Sequence, residues 1–447
     1  MMKIHTRMLV VLGVAALAGA GATGARAAAL RGEEARVRAT ADALRTIERV
    51  RAAEGARRDA DLAFYQARAA QDPWGAGDRA RVAALYLQRA RETGDYPDYL
   101  HAEAAARASL AARRTHNAPG LVALAGALMA QHRFVEARAA AEALVQGDAT
   151  RPSYRSLLGE LQLELGDYAG ARATFGSLEP VRATLGVAPR YARWLELTGR
   201  TNAARTLLYA AAHDAAARGD LPREQVAWFH LRVGDLELRS GRLGAAETAF
   251  RAGLAANPED YRLLGEMARL AAARGEWKAA LELGGRAVAQ VLDPATLAVM
   301  SDAALASGDT AQAEEYARVM EVSVRRQAGA LHRGWGLFLL DRGRRVDQVA
   351  AQAAHDLETR PDIYGYDLLA WALHGQGNDA AAARVMAGAL RLGTRDATLF
   401  YHAGMIERAR GRDAAARRFL SAALEVNPYF GPVQARTARA VLDSIAG

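Results

Sequence analysis

The chain has 447 residues, of which 51% are hydrophobic, 24% charged and only 6% aromatic. A composition rich in alanine and poor in aromatics speaks against a β-sandwich or barrel and for helices, because alanine is the strongest helix former while strands favour aromatic and β-branched side chains. The formal charge of +8 rests almost wholly on arginine, with Lys3 and Lys278 the two lysines, and the lack of cysteine excludes disulfides, thiolate metal sites and a cysteine nucleophile.

The N-terminus reads as an address. Lys3, His5 and Arg7 form a positive region ahead of the apolar run Met8–Gly21, and Ala25-Arg26-Ala27 supplies small residues for cleavage before Ala28. This is the pattern of a secretory signal peptide over residues 1–27. The run is too short and too diluted by glycine and alanine to span a bilayer comfortably. The expectation is a periplasmic or secreted protein with no stable membrane insertion after signal cleavage, from a high-GC Gram-negative bacterium judging by arginine usage. Gly19-Ala20-Gly21-Ala22-Thr23-Gly24 matches a dinucleotide-binding fingerprint, but that motif needs a strand before it and a helix after it, and here it falls in the segment to be removed. Residues 28–447 carry +5, and their arginines alternate with acids rather than gather on one face, so no nucleic-acid partner is expected.

After a lead-in helix over residues 28–41, the chain repeats. Gly159, Gly166, Ala171 and Phe175 recur as Gly234, Gly241, Ala246 and Phe250, and Gly404, Gly411, Ala416 and Ala423 recur 34 residues earlier as Ala370, Gly377, Ala382 and Ala389. Gly159, Gly234 and Gly404 sit where two helices must approach closely. Gly166, Gly199, Gly241, Gly275, Gly308, Gly343, Gly377 and Gly411 sit where a first helix ends in a left-handed residue. Pro73, Pro258 and Pro428 follow second helices that they cannot continue. Anchored on the inter-helix glycine, the units start near residues 42, 80, 118, 152, 185, 227, 261, 294, 329, 363 and 397. Most steps are 33 to 35 residues, and the longer ones put extra residues around Tyr96–His101 and Ala212–Glu224. Residues 431–447 read as a helix that caps the exposed end of the stack.

These offsets resemble the tetratricopeptide repeat. The resemblance implies an all-α fold, a right-handed superhelical α-solenoid of about eleven antiparallel helix pairs over residues 42–430, with first helices lining the concave face. Carried onto this sequence, the family's groove positions give a charged middle zone and an aromatic C-terminal zone. The first includes Arg190, Arg193, Arg232, Arg262 and Arg269. The second includes Arg333, Tyr364, Asp367, Trp371, Tyr401, His402 and Arg408. Aromatics flanked by arginine are the material of interaction hot spots. Packing between units is the competing reading for Trp371, and mutual ion pairing for the charges. The family's carboxylate clamp of lysine and asparagine has no counterpart at these positions.

No HExxH, GxSxG, phosphate-binding loop or SxxK occurs, and the ten histidines are scattered. The sequence therefore points to a non-enzymatic scaffold without a cofactor, binding a protein or peptide partner in cell-envelope assembly or secretion. The alternative is an accessory subunit positioning an enzyme encoded elsewhere.

Overall fold

The computed structural model describes residue 49, residues 52–325 and residues 333–446. Residues 1–41, read from sequence as an export signal and a lead-in helix, and the unit starts near residues 42 and 329 lie outside the described residues. The chain divides at Ala60 into two units. Of the first, residues 52–60 are helical, and Arg58 holds the neighbouring Asp59 at 2.9 Å.

The second unit is a tetratricopeptide-like array of helix pairs. The helix α1, which runs over residues 52–71, is followed by α2 (Ala76–Thr93) and α3 (Pro97–Ala112), α4 (Ala118–Ala130) and α5 (Phe134–Gly147), α6 (Pro152–Glu164) and α7 (Tyr168–Ser177), and α8 (Ala188–Leu197) and α9 (Thr201–Ala216). The pairs α10 (Arg223–Arg239) with α11 (Leu243–Ala256), α12 (Tyr261–Ala273) with α13 (Trp277–Val288), and α14 (Pro294–Ala306) with α15 (Thr310–Arg325) come next. The series ends with α16 (Arg333–Leu340) and α17 (Val346–Thr359), α18 (Ile363–Gly375) and α19 (Asp379–Leu390), α20 (Ala397–Ala409) and α21 (Asp413–Val426), and the single closing helix α22 (Pro432–Ala446). Each first helix packs on its own second helix, and most also pack on the first helix of the next unit, as α12 does on α13 and on α14.

Local chemistry explains the frame. All eight predicted turn glycines have positive φ. After each, the next amide donates back to a carbonyl of the first helix's last turn at 2.8 to 2.9 Å, the Schellman geometry that satisfies otherwise orphaned carbonyls. In the unit starting at α4, His132 takes the glycine's place at φ 58°. Asn117, Asp260, Asp293, Asp362 and Asp396 start the first helices α4, α12, α14, α18 and α20 by accepting backbone N–H groups. The close-approach glycines face core side chains of their own units: a Cβ on Gly159 would fall 2.8 Å from Phe175, on Gly234 2.2 Å from Phe250, and on Gly404 2.6 Å from Leu420.

One expectation is corrected. A unit starting near residue 42 would turn near residue 56, but the helix runs unbroken over 52–71, so ten helix pairs rather than eleven are seen among the described residues. A lone glycine such as Gly55 weakens a helix by about 1 kcal/mol without ending it. The extra residues near 212–224 lengthen α9 and start α10 earlier, at Arg223, as well as widening the loop.

Successive gyres of the array touch along a seam. Arg360 Nε donates to Glu164 O at 2.9 Å, Thr394 Oγ1 to Leu197 O at 2.5 Å, and Asn427 Nδ2 to Leu238 O at 3.0 Å. The acceptors lie 189 to 197 residues before the donors. They are carbonyls at the C-terminal ends of α6, α8 and α10, where intrahelical partners run out. Ile363 N donates to the Tyr168 hydroxyl at 2.8 Å. A Cβ on Gly166 would lie 2.3 Å from Pro361 O, and one on Gly199 2.5 Å from Gly393 O. The same glycines thus provide the left-handed turn and the close approach of the next gyre.

Candidate functional site

The first helices turn their charged faces inward, and closure along the seam makes that interior a lumen. A cavity of about 580 Å³ lies where α8 and α10 face α16, α17 and α18. Arg193 and Glu196 of α8, Arg232, Asp235 and Arg239 of α10, Arg333 of α16 and Tyr364 of α18 line it. Glu164, Arg360, Asp362 and Asp396 complete the wall from helix ends and loops. This volume is typical of ligand pockets.

The charges are interlocked. Arg193 Nη2 donates to Glu164 at 2.6 Å, and Arg360 reaches the same carboxylate across the seam. Arg239 binds Glu196 and, at 3.2 Å, Asp235. Arg232 lies 3.5 Å from Asp235 and 3.6 Å from Glu196. Burial opposes ionisation of Asp235, but Arg239, Arg232 and Arg269 outweigh it and hold its carboxyl below the ordinary range. Burial likewise opposes the charge on Arg193, and Glu164 more than restores it.

At the centre stands Tyr364. The Arg333 guanidinium lies over its ring at 4.1 Å. Its hydroxyl is pushed up to about 12, first by burial and then by Asp396, against the opposing charges of Arg239, Arg333 and Arg193. The charges of three guanidiniums, from α8, α10 and α16, thus act on one phenol. Within this wall Arg193 Nε, Arg333 Nε and Glu196 Oε1 are buried without a hydrogen-bond partner.

A second hollow of about 380 Å³ opens between α10, α12 and α14, with Trp228, Tyr261, Arg262, Glu266 and Arg269 in its wall. Arg262 is held by Asp260 at 2.6 Å and Glu224 at 2.9 Å, and Arg269 by Glu266 at 3.1 Å. Burial pushes the Glu266 carboxyl up, with Arg269 opposing it.

Of the residues singled out from sequence, Arg193, Arg232, Arg333 and Tyr364 converge on the first cavity, and Arg232, Arg262 and Arg269 on the second. The others line neither. Arg190 pairs with Glu160, and Arg408 with Asp413. Asp367 is fully buried between Arg333 at 3.2 Å and His402 Nδ1 at 2.7 Å. Trp371 stacks on His402 at 4.1 Å and on His374 at 4.8 Å, and its Nε1–H donates to Asp341 at 3.1 Å. Tyr401 is buried against Phe430. The aromatic zone is thus a packed joint between the last units and α22 rather than an open wall of the groove. Glu164, Glu196 and Arg239 were passed over although the repeat frame places them on groove positions. Arg360 carries no such signal, because it reaches the lumen from a loop one gyre away. Among the described residues no group of three His, Asp or Glu is placed to hold a metal ion, and no helix is long and apolar enough to cross a membrane.

No family model and no curated protein matches the chain. Among solved structures, a tetratricopeptide repeat protein from Parabacteroides merdae ATCC 43184 is similar at 17% identity over 61% of this chain and 100% of its own, with a TM-score of 0.35. The APC/C hetero-tetramer Cut9-Hcn1 is similar at 12% identity over 87% of this chain and 89% of its own, with a TM-score of 0.34.

Proposed function

We propose that the chain is an exported, non-enzymatic scaffold that holds a segment of a protein partner in its lumen, in the assembly or secretion machinery of the cell envelope. The observation that carries the reading is the Tyr364 cluster. Arg193, Arg239 and Arg333, from three different units, line one cavity with Tyr364, and their charges act on its hydroxyl. A repeat array gives such a segment a long contact surface assembled from successive units. The signal-like N-terminus supports an address outside the cytoplasm.

The test is affinity capture from an envelope extract with residues 28–447 as bait. Arg193→Gln is the control variant, because Glu164 keeps Arg360 when Arg193 is lost. A protein retained by the parent and lost by Arg193→Gln supports the lumen as the site. Retention by both moves the site elsewhere, and retention by neither argues against a stable protein partner.

A further inference from the structure

The seam uses only half of the edges that the array offers. Gly94, Gly166, Gly199 and Gly241 are partly covered, and a Cβ on each would strike the loop of the next gyre or come within about 3 Å of it. Gly308, Gly343, Gly377 and Gly411 form the same left-handed turn, yet they are exposed and a Cβ on any of them meets nothing within 4 Å. On the opposite edge, the loops before α4 and α6 are also open: Arg113, Arg114, Thr115 and His116 are exposed, as are Ala149, Thr150 and Arg151. Thr115 stands three residues ahead of α4, as Thr394 stands three ahead of α20, where it donates across the seam.

The ends match as well. Among the described residues α1 and α22 each stand without a paired helix. α1 packs on α2 through Leu62 and Tyr65 but leaves Phe64 54% exposed, with Trp74 after it 79% exposed. At the other end Tyr429 is 44% and Val433 60% exposed.

We propose that the seam continues between molecules, so that the chain stacks head to tail on a second copy of itself. Within the chain, the turn of the third pair meets the loop between the eighth and ninth, and that of the fourth meets the loop between the ninth and tenth. With α22 and the next copy's α1 making up one further pair, the same register lays the Gly308 turn on the next copy's loop at 113–117. It lays the Gly343 turn on the loop at 148–151. In that register Asp309 faces Arg113 and Arg114, while Arg344 and Arg345, held within the chain by Glu314 and Glu321, face Asp148, held by Arg151. The two surfaces differ, so the contact is heterologous and open, giving linear stacks rather than a closed dimer.

Sedimentation velocity of the full chain over a concentration series tests this, with Ala149→Trp as the blocking variant. Ala149 is exposed, so the indole obstructs the intermolecular seam and leaves the internal one alone. The expected result is a weight-average mass that rises past two copies with concentration for the parent, and a single copy for Ala149→Trp with an unchanged circular-dichroism melt. Thr115→Trp, in a different loop, repeats the test if Ala149→Trp fails to fold. A parent that stays a single copy, a dimer that stops at two, or association untouched by either tryptophan would overturn the proposal.

Discussion

Gly234→Ala probes the repeat frame at its tightest point. The new Cβ would lie 2.2 and 2.3 Å from two carbons of the Phe250 ring. That ring is wholly buried, so it cannot swing aside into water. Overpacking of this kind destabilises by about 1–3 kcal/mol. Helix propensity works in the opposite direction, since alanine gains roughly 1 kcal/mol over glycine within a helix. Gly244, in the first turn of α11, isolates that second effect because nothing lies within 4 Å of its Cβ position. The gap in stability between Gly244→Ala and Gly234→Ala should therefore be about the overpacking energy alone, roughly 1–3 kcal/mol, read from urea unfolding. Adding Phe250→Leu to Gly234→Ala should cost less than Phe250→Leu does in the parent, because the two changes share one space. If Gly234→Ala proves at least as stable as Gly244→Ala, the close crossing of α10 and α11 is not what the glycine serves.

Thr394→Val keeps the side-chain shape but leaves the buried Leu197 carbonyl without its donor, and should lower stability by about 1–3 kcal/mol in the same assay. Trp371→Ala should destabilise the last units by less than the roughly 3–5 kcal/mol of a fully buried tryptophan, seen as faster amide exchange in α18 and α20, because the part-buried indole packs on two imidazoles and donates to Asp341. For Asp367, burial disfavours the charge but His402 and Arg333 prevail, so its folded pKa is lowered. Its ionised form therefore stabilises the fold fully above the unfolded value of about 4, and this contribution is lost as pH falls through the folded value. Acid-unfolding curves of Asp367→Asn should show a shallower loss of stability below about pH 4 than the parent.

The fold was legible because its determinants are local. Glycine at each first-helix end and a small residue opposite each core aromatic are demands of one unit on itself, so they repeat in the sequence at the unit's own period. The site was half legible for the same reason. Frame positions located Arg193, Arg232, Arg333 and Tyr364, which do meet in one cavity. The seam was not legible, since Arg360, Thr394 and Asn427 act on carbonyls almost 200 residues away and no periodicity marks them. Trp371, Tyr401 and His402 occupy groove positions by number. Near the end of the array, however, α22 covers what is open groove further up: Gln434 reaches Asp341, the acceptor of the Trp371 indole.

The central claim is that the Tyr364 cluster meets a partner. A photo-crosslinking residue, p-benzoylphenylalanine, placed at position 364 in the producing cell tests it directly, with position 278 on the exposed face of α13 as control. The account predicts a discrete adduct from position 364, absent from position 278 and lost when Arg193→Gln is added. An adduct from position 278 alone, or one from position 364 that survives Arg193→Gln, would contradict it.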